Sequence, residues 1–223
     1  MAQVITDLDD IIENVNFLYN GSSTAPTSGE EDYLVWTGLA NMAINIWENE
    51  EGMLWRELFV KLSDAATGTK TTTSGTYSYA LPTDFRFPVS SYIWFGANTN
   101  KTPYRIINPS DLQLYENNGQ NFAYFMGSNL YFNPNISIPS AQAITYAYYK
   151  KATKLATGSD IPEMSDPGFI VYYVLSELKK EEGDTSSLQI ATQKLEAMKT
   201  MNSQVAGYQD DSINTPLGGG FGN

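Results

Sequence analysis

The chain has 223 residues, enough for one domain or for one domain with a sizeable insertion, and its 25 acidic and 13 basic residues give a formal charge of −12. It contains no histidine and no cysteine, which excludes disulfides, thiolate- or histidine-held metal sites, cysteine nucleophiles and Ser-His-Asp chemistry. The acidic balance gains nothing from counterion release on a phosphate backbone, and the low charged fraction, 17%, suits a surface that neighbours cover.

From the N-terminus, Val4, Ile5, Leu8, Ile11, Ile12, Val15 and Leu18 recur at spacings of three and four. They predict a helix over residues 2–18, closed by Asn20-Gly21. This segment has neither the basic start nor the long apolar core of a signal peptide, and no apolar run is long enough to span a bilayer; both point to an aqueous protein. A loop of Ser, Thr and Pro leads to Ser28, the predicted N-cap of a second helix with Glu30 and Glu31 in its first turn. That helix runs to about Glu51, with Tyr33, Trp36, Ala40, Ala43, Ile44 and Trp47 on its buried face. Trp55, Leu58, Phe59 and Leu62 fit a short helix or a strand, and periodicity does not choose between them.

Residues 65–76 are nearly all Ala, Thr, Gly, Ser and Lys and predict a flexible connection. Tyr77 to Leu81 alternates as a strand does, and Leu81-Pro82-Thr83-Asp84-Phe85 predicts a turn. Ser91–Phe95 and Tyr104–Ile107 are rich in β-formers, and Pro109 opens a short helical turn with Leu112 and Tyr115 facing inward. Phe122–Met126 and Leu130–Phe132 flank Gly127-Ser128-Asn129 as a β-hairpin that Pro134 ends. Ala143–Tyr149 predicts one strong strand leading into Lys150-Lys151. Asp166 and Pro167 open a helix with Phe169, Ile170, Tyr173, Val174 and Leu178 as its buried stripe, which Val171 can join, stopped at Gly183. A last helix runs from Thr185 to about Val205 through Leu188, Ala191, Leu195 and Met198. The predicted class is α+β: a bundle of N-terminal helices (1–64) and C-terminal helices (157–206), an inserted small antiparallel β-sheet or barrel (65–156), and a flexible C-terminal tail (207–223).

Few local motifs carry chemistry. Asp7-Leu8-Asp9-Asp10 opens like a calcium loop, but Ile12 and Leu18 stand where that loop needs Gly and Glu. Gly218 to Gly222 follows no strand and opens no helix, unlike a phosphate-cradling loop. Glu181-Glu182-Gly183-Asp184 has the character of a solvated helix end, and Lys150, Lys151 and Lys154 make too small a patch for general nucleic-acid affinity. No metal or cofactor is expected. The 15 tyrosines crowd into the β region, where they fit a protein interface, a sugar platform or plain β propensity.

The order of the landmarks carries more than any one of them. An acidic N-terminal helix and an Ala- and Trp-bearing helix precede Trp55-Arg56-Glu57-Leu58. Then come Leu81-Pro82-Thr83-Asp84-Phe85, an aromatic hairpin ending in Asn133-Pro134, and Ala143–Tyr149 leading to Thr157-Gly158-Ser159-Asp160-Ile161-Pro162. Pro167-Gly168-Phe169 opens a helix, and Gly183-Asp184 and a final helix follow. Over about residues 30–206 this set resembles the head-to-tail adaptor family of short-tailed bacteriophages, the tail tubular protein A type.

The resemblance implies a non-enzymatic virion protein, made in the host cytoplasm and placed at the portal vertex, with no membrane association. It implies a dodecameric ring between the portal protein and the downstream tail (nozzle) protein, with double-stranded DNA passing through the lumen without specific binding, for genome retention and ejection. A C-terminal extension often holds the portal, which makes Ile213, Pro216, Leu217 and Phe221 the candidate portal-binding residues. In the hairpin, Tyr124, Phe125, Tyr131 and Phe132 are candidates either for the tail-side interface or for the core. The acidity then acquires a role, because a carboxylate-lined lumen repels phosphate. The alternative is a tyrosine-rich carbohydrate-binding or receptor-binding tail module.

Overall fold

The computed structural model describes residues 4–61, 70–89, 91–95, 102–115, 119–138 and 140–210. Its helices are α1 (Leu8–Asn20), α2 (Glu31–Glu48), α3 (Leu112–Tyr115), α4 (Gly168–Leu178) and α5 (Ser186–Asp210). Its strands are β1 (Phe59–Lys61), β2 (Lys70–Thr71), β3 (Ser78–Ala80), β4 (Phe85–Pro88), β5 (Tyr92–Phe95), β6 (Thr102–Ile106), β7 (Phe122–Met126), β8 (Asn129–Phe132), β9 (Ala143–Thr145) and β10 (Ala147–Lys150). The fold is α+β and divides into a helical unit (1–57 and 152–223) and a β unit (58–151).

In the helical unit, α1 begins later than its apolar spacing predicts. Asp7 accepts the Asp10 N–H at 3.0 Å and caps the helix, which leaves Val4 outside it and 77% exposed. Leu18, also assigned to the buried face, is exposed. The helix ends as predicted at Gly21, whose φ of 65° lets its N–H turn back to the Phe17 carbonyl. The start of α2 is likewise displaced, from Ser28 to Glu30, because the Glu30 carboxylate closes the preceding turn on the Thr27 N–H. Its buried residues are the predicted stripe of Tyr33, Trp36, Ala40, Ala43, Ile44 and Trp47. Trp47 stacks on Trp55 with centroids 5.2 Å apart, and Trp55 Nε1 donates to the Trp47 carbonyl at 2.6 Å.

The most apolar helix, α4, packs against α1, α2 and α5. This central position explains why Leu175 is buried alongside Phe169, Ile170, Val171 and Val174, while Tyr173 and Leu178, expected in the stripe, stay half-buried. Asp166 accepts the Gly168 N–H at 2.9 Å and so acts as the predicted cap. On α5, Ala191, Leu195 and Met198 face inward as expected, while Leu188 is 50% exposed and Ser187 is buried at that turn in its place. Asp184 takes both the N–H and the hydroxyl of Ser186, which sets that start.

A strap, residues 152–166, is bound to α1 and α2 by hydrogen bonds of high sequence separation. Asn41 pairs with Leu155 as a strand would, its Nδ2 donating to the Leu155 carbonyl at 2.8 Å and its Oδ1 accepting the Leu155 N–H at 2.9 Å. The first N–H groups of α1, which no helix satisfies internally, donate to the strap: Leu8 to the Asp160 carbonyl at 3.0 Å and Asp9 to that of Gly158 at 2.9 Å. A Cβ at 158 would collide with the Asp9 carboxylate, so any larger residue there must push Asp9 away from its bond with Tyr33.

The β unit holds two sheets. One has the order β1-β10-β4, all antiparallel. The other has the order β2-β9-β5-β6-β7-β8-β3 and is antiparallel except at β6–β7, so the expected purely antiparallel sheet is corrected to a mixed one. The predicted single strand 143–149 is two strands: β9 belongs to the larger sheet, β10 to the smaller, and only Tyr146 separates them. Residues 70–71, expected in a flexible connection, pair with β9. The ambiguous stretch after Trp55 uses both options, a 3-10 turn at Arg56–Leu58 and then β1. Both sheets share one core, in which Ile93, Tyr104, Leu130, Phe132, Ile144, Tyr146 and Tyr148 are buried.

Candidate interaction surfaces

Strand alternation decides which aromatics of the β unit face outward. In the β7–β8 hairpin, Ala123 opposes Phe132, Tyr124 opposes Tyr131, and Phe125 opposes Leu130. The turn is Gly127-Ser128, with Gly127 at φ 58° as tight hairpins require. Phe132 is 1% exposed and sits edge-on to Tyr79 and Tyr104 at 5.8 and 5.5 Å. Phe125 stacks on Phe85 at 5.1 Å and meets Tyr146 edge-on. Both phenylalanines belong to the core side. Tyr124 and Tyr131 lie on the other face, half-buried and stacked at 5.2 Å with their planes 10° apart. The four hairpin residues singled out from sequence therefore split into a core pair and an outer pair. Ile213, Pro216, Leu217 and Phe221 lie outside the described residues.

The outer tyrosines continue a larger surface. In the same sheet Tyr92 opposes Arg105, and Trp94 opposes Pro103. Tyr92 and Trp94 are 44% and 36% exposed, with centroids 6.1 Å apart. The Arg105 guanidinium lies 5.9 Å from the Tyr115 ring, and Tyr115 in turn covers Phe122 edge-on. A stripe of tyrosine and tryptophan rings with one arginine thus crosses the sheet, combining apolar ring faces with polar edges.

The three-stranded sheet has its own outer face. Phe59, Tyr149 and Phe87 stand opposite one another across β1, β10 and β4. Their rings meet at 6.1 Å (Phe59 with Tyr149) and 5.3 Å (Phe87 with Tyr149), and Phe59 is 47% exposed. Lys61 is exposed two residues along β1, Lys151 is exposed just past β10, and the Arg86 guanidinium lies 5.3 Å over the Phe87 ring. The inner face of this sheet contributes Val60 and Tyr148 to the core. There the Tyr148 hydroxyl donates to Asp84 Oδ1 at 3.0 Å, and burial followed by this bond pushes its pKa to about 12.

The helical unit offers different chemistry. Between Asp32 and Glu48, α2 has no charged residue, and its exposed side shows Leu34, Val35, Met42 and Ile46. A helix without charge on its solvent side is the signature of a face that another element covers. A groove of about 770 Å³ between α1, α4 and α5 is lined by Ile5, Phe17, Leu18, Val171, Tyr172 and Ile190, with the Lys194–Asp166 ion pair (2.9 Å) on its wall. Charge is divided unequally between the units. The helical unit holds 21 of the 25 acids and 6 of the 13 bases, a formal −15, whereas the β unit holds 4 acids and 7 bases, a formal +3. Much of the positive charge in the helical unit is already matched: Lys194 with Asp166, Lys180 with Glu177, Arg56 with Glu57, and Lys199 with Glu50 and Glu196. The bond to Glu50 contributes most to raising the Lys199 pKa to about 12.

Asp9, from the calcium-like opening, accepts the Tyr33 hydroxyl at 2.9 Å instead of facing a site; burial, then this bond, raises the tyrosine to about 12. Among the described residues no group of three or more acidic side chains gathers as a metal site, and no helix is long and apolar enough to cross a membrane. The outer aromatic faces and the charge division are absent from a reading of motifs. Splitting the charge at the ends of the insertion would have exposed the second; the first needs strand register. Among protein families, the model described as SU10 adaptor protein matches residues 6–218. Comparison with curated proteins returns no match.

Proposed function

The chain belongs to the SU10 adaptor protein family, a phage adaptor family, and is a structural component of the virion; from that premise we propose that it forms a dodecameric ring joining the portal vertex to the tail. The ring encloses part of the channel through which genome DNA is retained and ejected, and it catalyses no reaction. The observation that carries this reading is the family match over residues 6–218, nearly the whole chain, both units included. Two chemically unlike units in one polypeptide suit a joint that must meet different partners on its two sides. The portal is held by Ile213, Pro216, Leu217 and Phe221, a spaced apolar set in an otherwise Gly- and Asn-rich segment. On the tail side, the hairpin contributes Tyr124 and Tyr131, while Phe125 and Phe132 support them from within.

Twelve copies carry roughly −144 formal charges, screened in part by counterions. The acids of the helical unit supply that charge, so it is this unit that keeps DNA sliding without adhesion. Light scattering on the protein alone and mixed with the portal of its phage tests the reading. The expected result is a ring-sized species that depends on the portal, lost when the chain is truncated after Gly207. A monomer indifferent to the portal would overturn it, and glycan binding by the tyrosine-bearing sheet would become the working explanation.

A further inference from the structure

The outer face of the three-stranded sheet has an apolar centre, Phe59, Tyr149 and Phe87, ringed by Lys61, Lys151 and Arg86. The opening of α2 has the converse composition. Glu31 and Asp32 are exposed there with no basic residue from Gly21 to Trp55, and next to them Leu34 and Val35 are 61% and 48% exposed. Each surface pairs an apolar patch with charge, and the signs are opposite. The same opposition holds between the whole units, −15 against +3.

We propose that these two surfaces dock on each other between copies: the aromatic and basic face of the three-stranded sheet of one copy receives the Glu31–Val35 edge of α2 of the next. The contact joins two different surfaces, so it is head-to-tail, and repetition of it closes a ring if the rotation permits. The rings and the two aliphatic side chains exclude water at its centre, while the lysines and carboxylates fix orientation and speed encounter. The inference rests on the ring reading and adds to it the surface by which one copy recognises another. An acidic partner docking on an aromatic, basic face has the same chemistry as a nucleic-acid strand, and the test separates the two.

Three proteins are compared in the portal-dependent assembly measurement: the natural chain, Lys61→Glu with Lys151→Glu, and Glu31→Lys with Asp32→Lys. All four positions are exposed, and circular dichroism verifies that each variant is folded. Each double variant faces like charge with like charge and should need at least tenfold more protein to assemble, on the order expected for like-charge juxtaposition. An equimolar mixture of the two variants should regain assembly, since every contact in an alternating ring then pairs opposite charges. If the natural chain assembles and the lysine variant assembles equally well, the docking surface is wrong while the ring stands. If the variants fail and the mixture does not recover, the occupant is not the α2 edge. If the natural chain binds single-stranded DNA and the lysine variant loses only that binding, the face belongs to nucleic acid. Failure of the natural chain to assemble with its portal would remove the ring reading itself.

Discussion

The helical unit and the β unit build their cores from different materials. The helical unit fills its interior with aliphatic side chains and three of the four tryptophans, Trp36, Trp47 and Trp55, and leaves its many acids outside. The β unit holds ten of the 15 tyrosines and buries several of them, so hydroxyl groups enter the core and must find acceptors there. In the first, polarity and burial are largely segregated, and helical period sorts most of the residues, Leu18 and Leu188 being exposed exceptions. In the second, one ring serves as core, as sheet former or as outer surface according to the strand opposite it.

The largest effect is expected from Trp47→Ala, which removes a 1% exposed ring stacked on Trp55 and should destabilise the helical unit by about 3–5 kcal/mol. Chemical denaturation followed by tryptophan fluorescence reads this unit almost selectively, and an equal loss in the β unit would show that the two units unfold as one. Tyr148→Phe should cost the β unit about 1.5–3 kcal/mol, because it breaks a hydrogen bond to a carboxylate next to the core.

The same tyrosine predicts an alkaline weakness. Burial raises the pKa of Tyr148 to about 12 and also raises Tyr104, Tyr146 and Tyr149; in the helical unit it raises Tyr33 and Tyr173. The fold therefore favours the protonated phenols. Their stabilising contribution is whole below the ordinary tyrosine value near 10 and is lost as pH rises through about 12, more from the β unit than from the helical one. Denaturant midpoints of the natural chain and of Tyr148→Phe between those limits measure it, and parallel curves would refute the role of Tyr148.

Smaller effects are expected at the turns. Gly127→Ala forces a side chain to φ 58° and should cost the hairpin about 1–2 kcal/mol. Asp7→Ala removes the cap of α1 and should cost about 1 kcal/mol, visible as earlier loss of helical circular dichroism on heating.

The sequence made the helical unit legible where a single element contains its own signal. The α2 stripe was complete because all six of its residues obey one period within one helix. Element ends were less legible, since Glu30 holds the N-cap position of α2 with no side-chain cap bond, its carboxylate accepting the Thr27 N–H of the preceding turn instead. The β unit resisted for a different reason. Alternation from Ala143 to Tyr149 is unbroken, with no Gly or Pro at Tyr146, and only the partners of β9 and β10 reveal two sheets. The candidate hairpin was found correctly as an element, but the division of its four aromatics between core and surface waited on the register. The division of charge was written in the sequence and was hidden by summing over the whole chain.

One detail of strand pairing reaches beyond this molecule. The first and last strands of the β unit, β1 and β10, are antiparallel neighbours, with Phe59 opposite Tyr149, so the segment from Leu58 to Lys151 starts and finishes at one place. Paired Cα atoms in such ladders are about 4.5–5.5 Å apart, a gap that a few residues bridge. Geometrically, this makes the β unit a cassette with two adjoining ends, whose place another insert, or a short turn, can span.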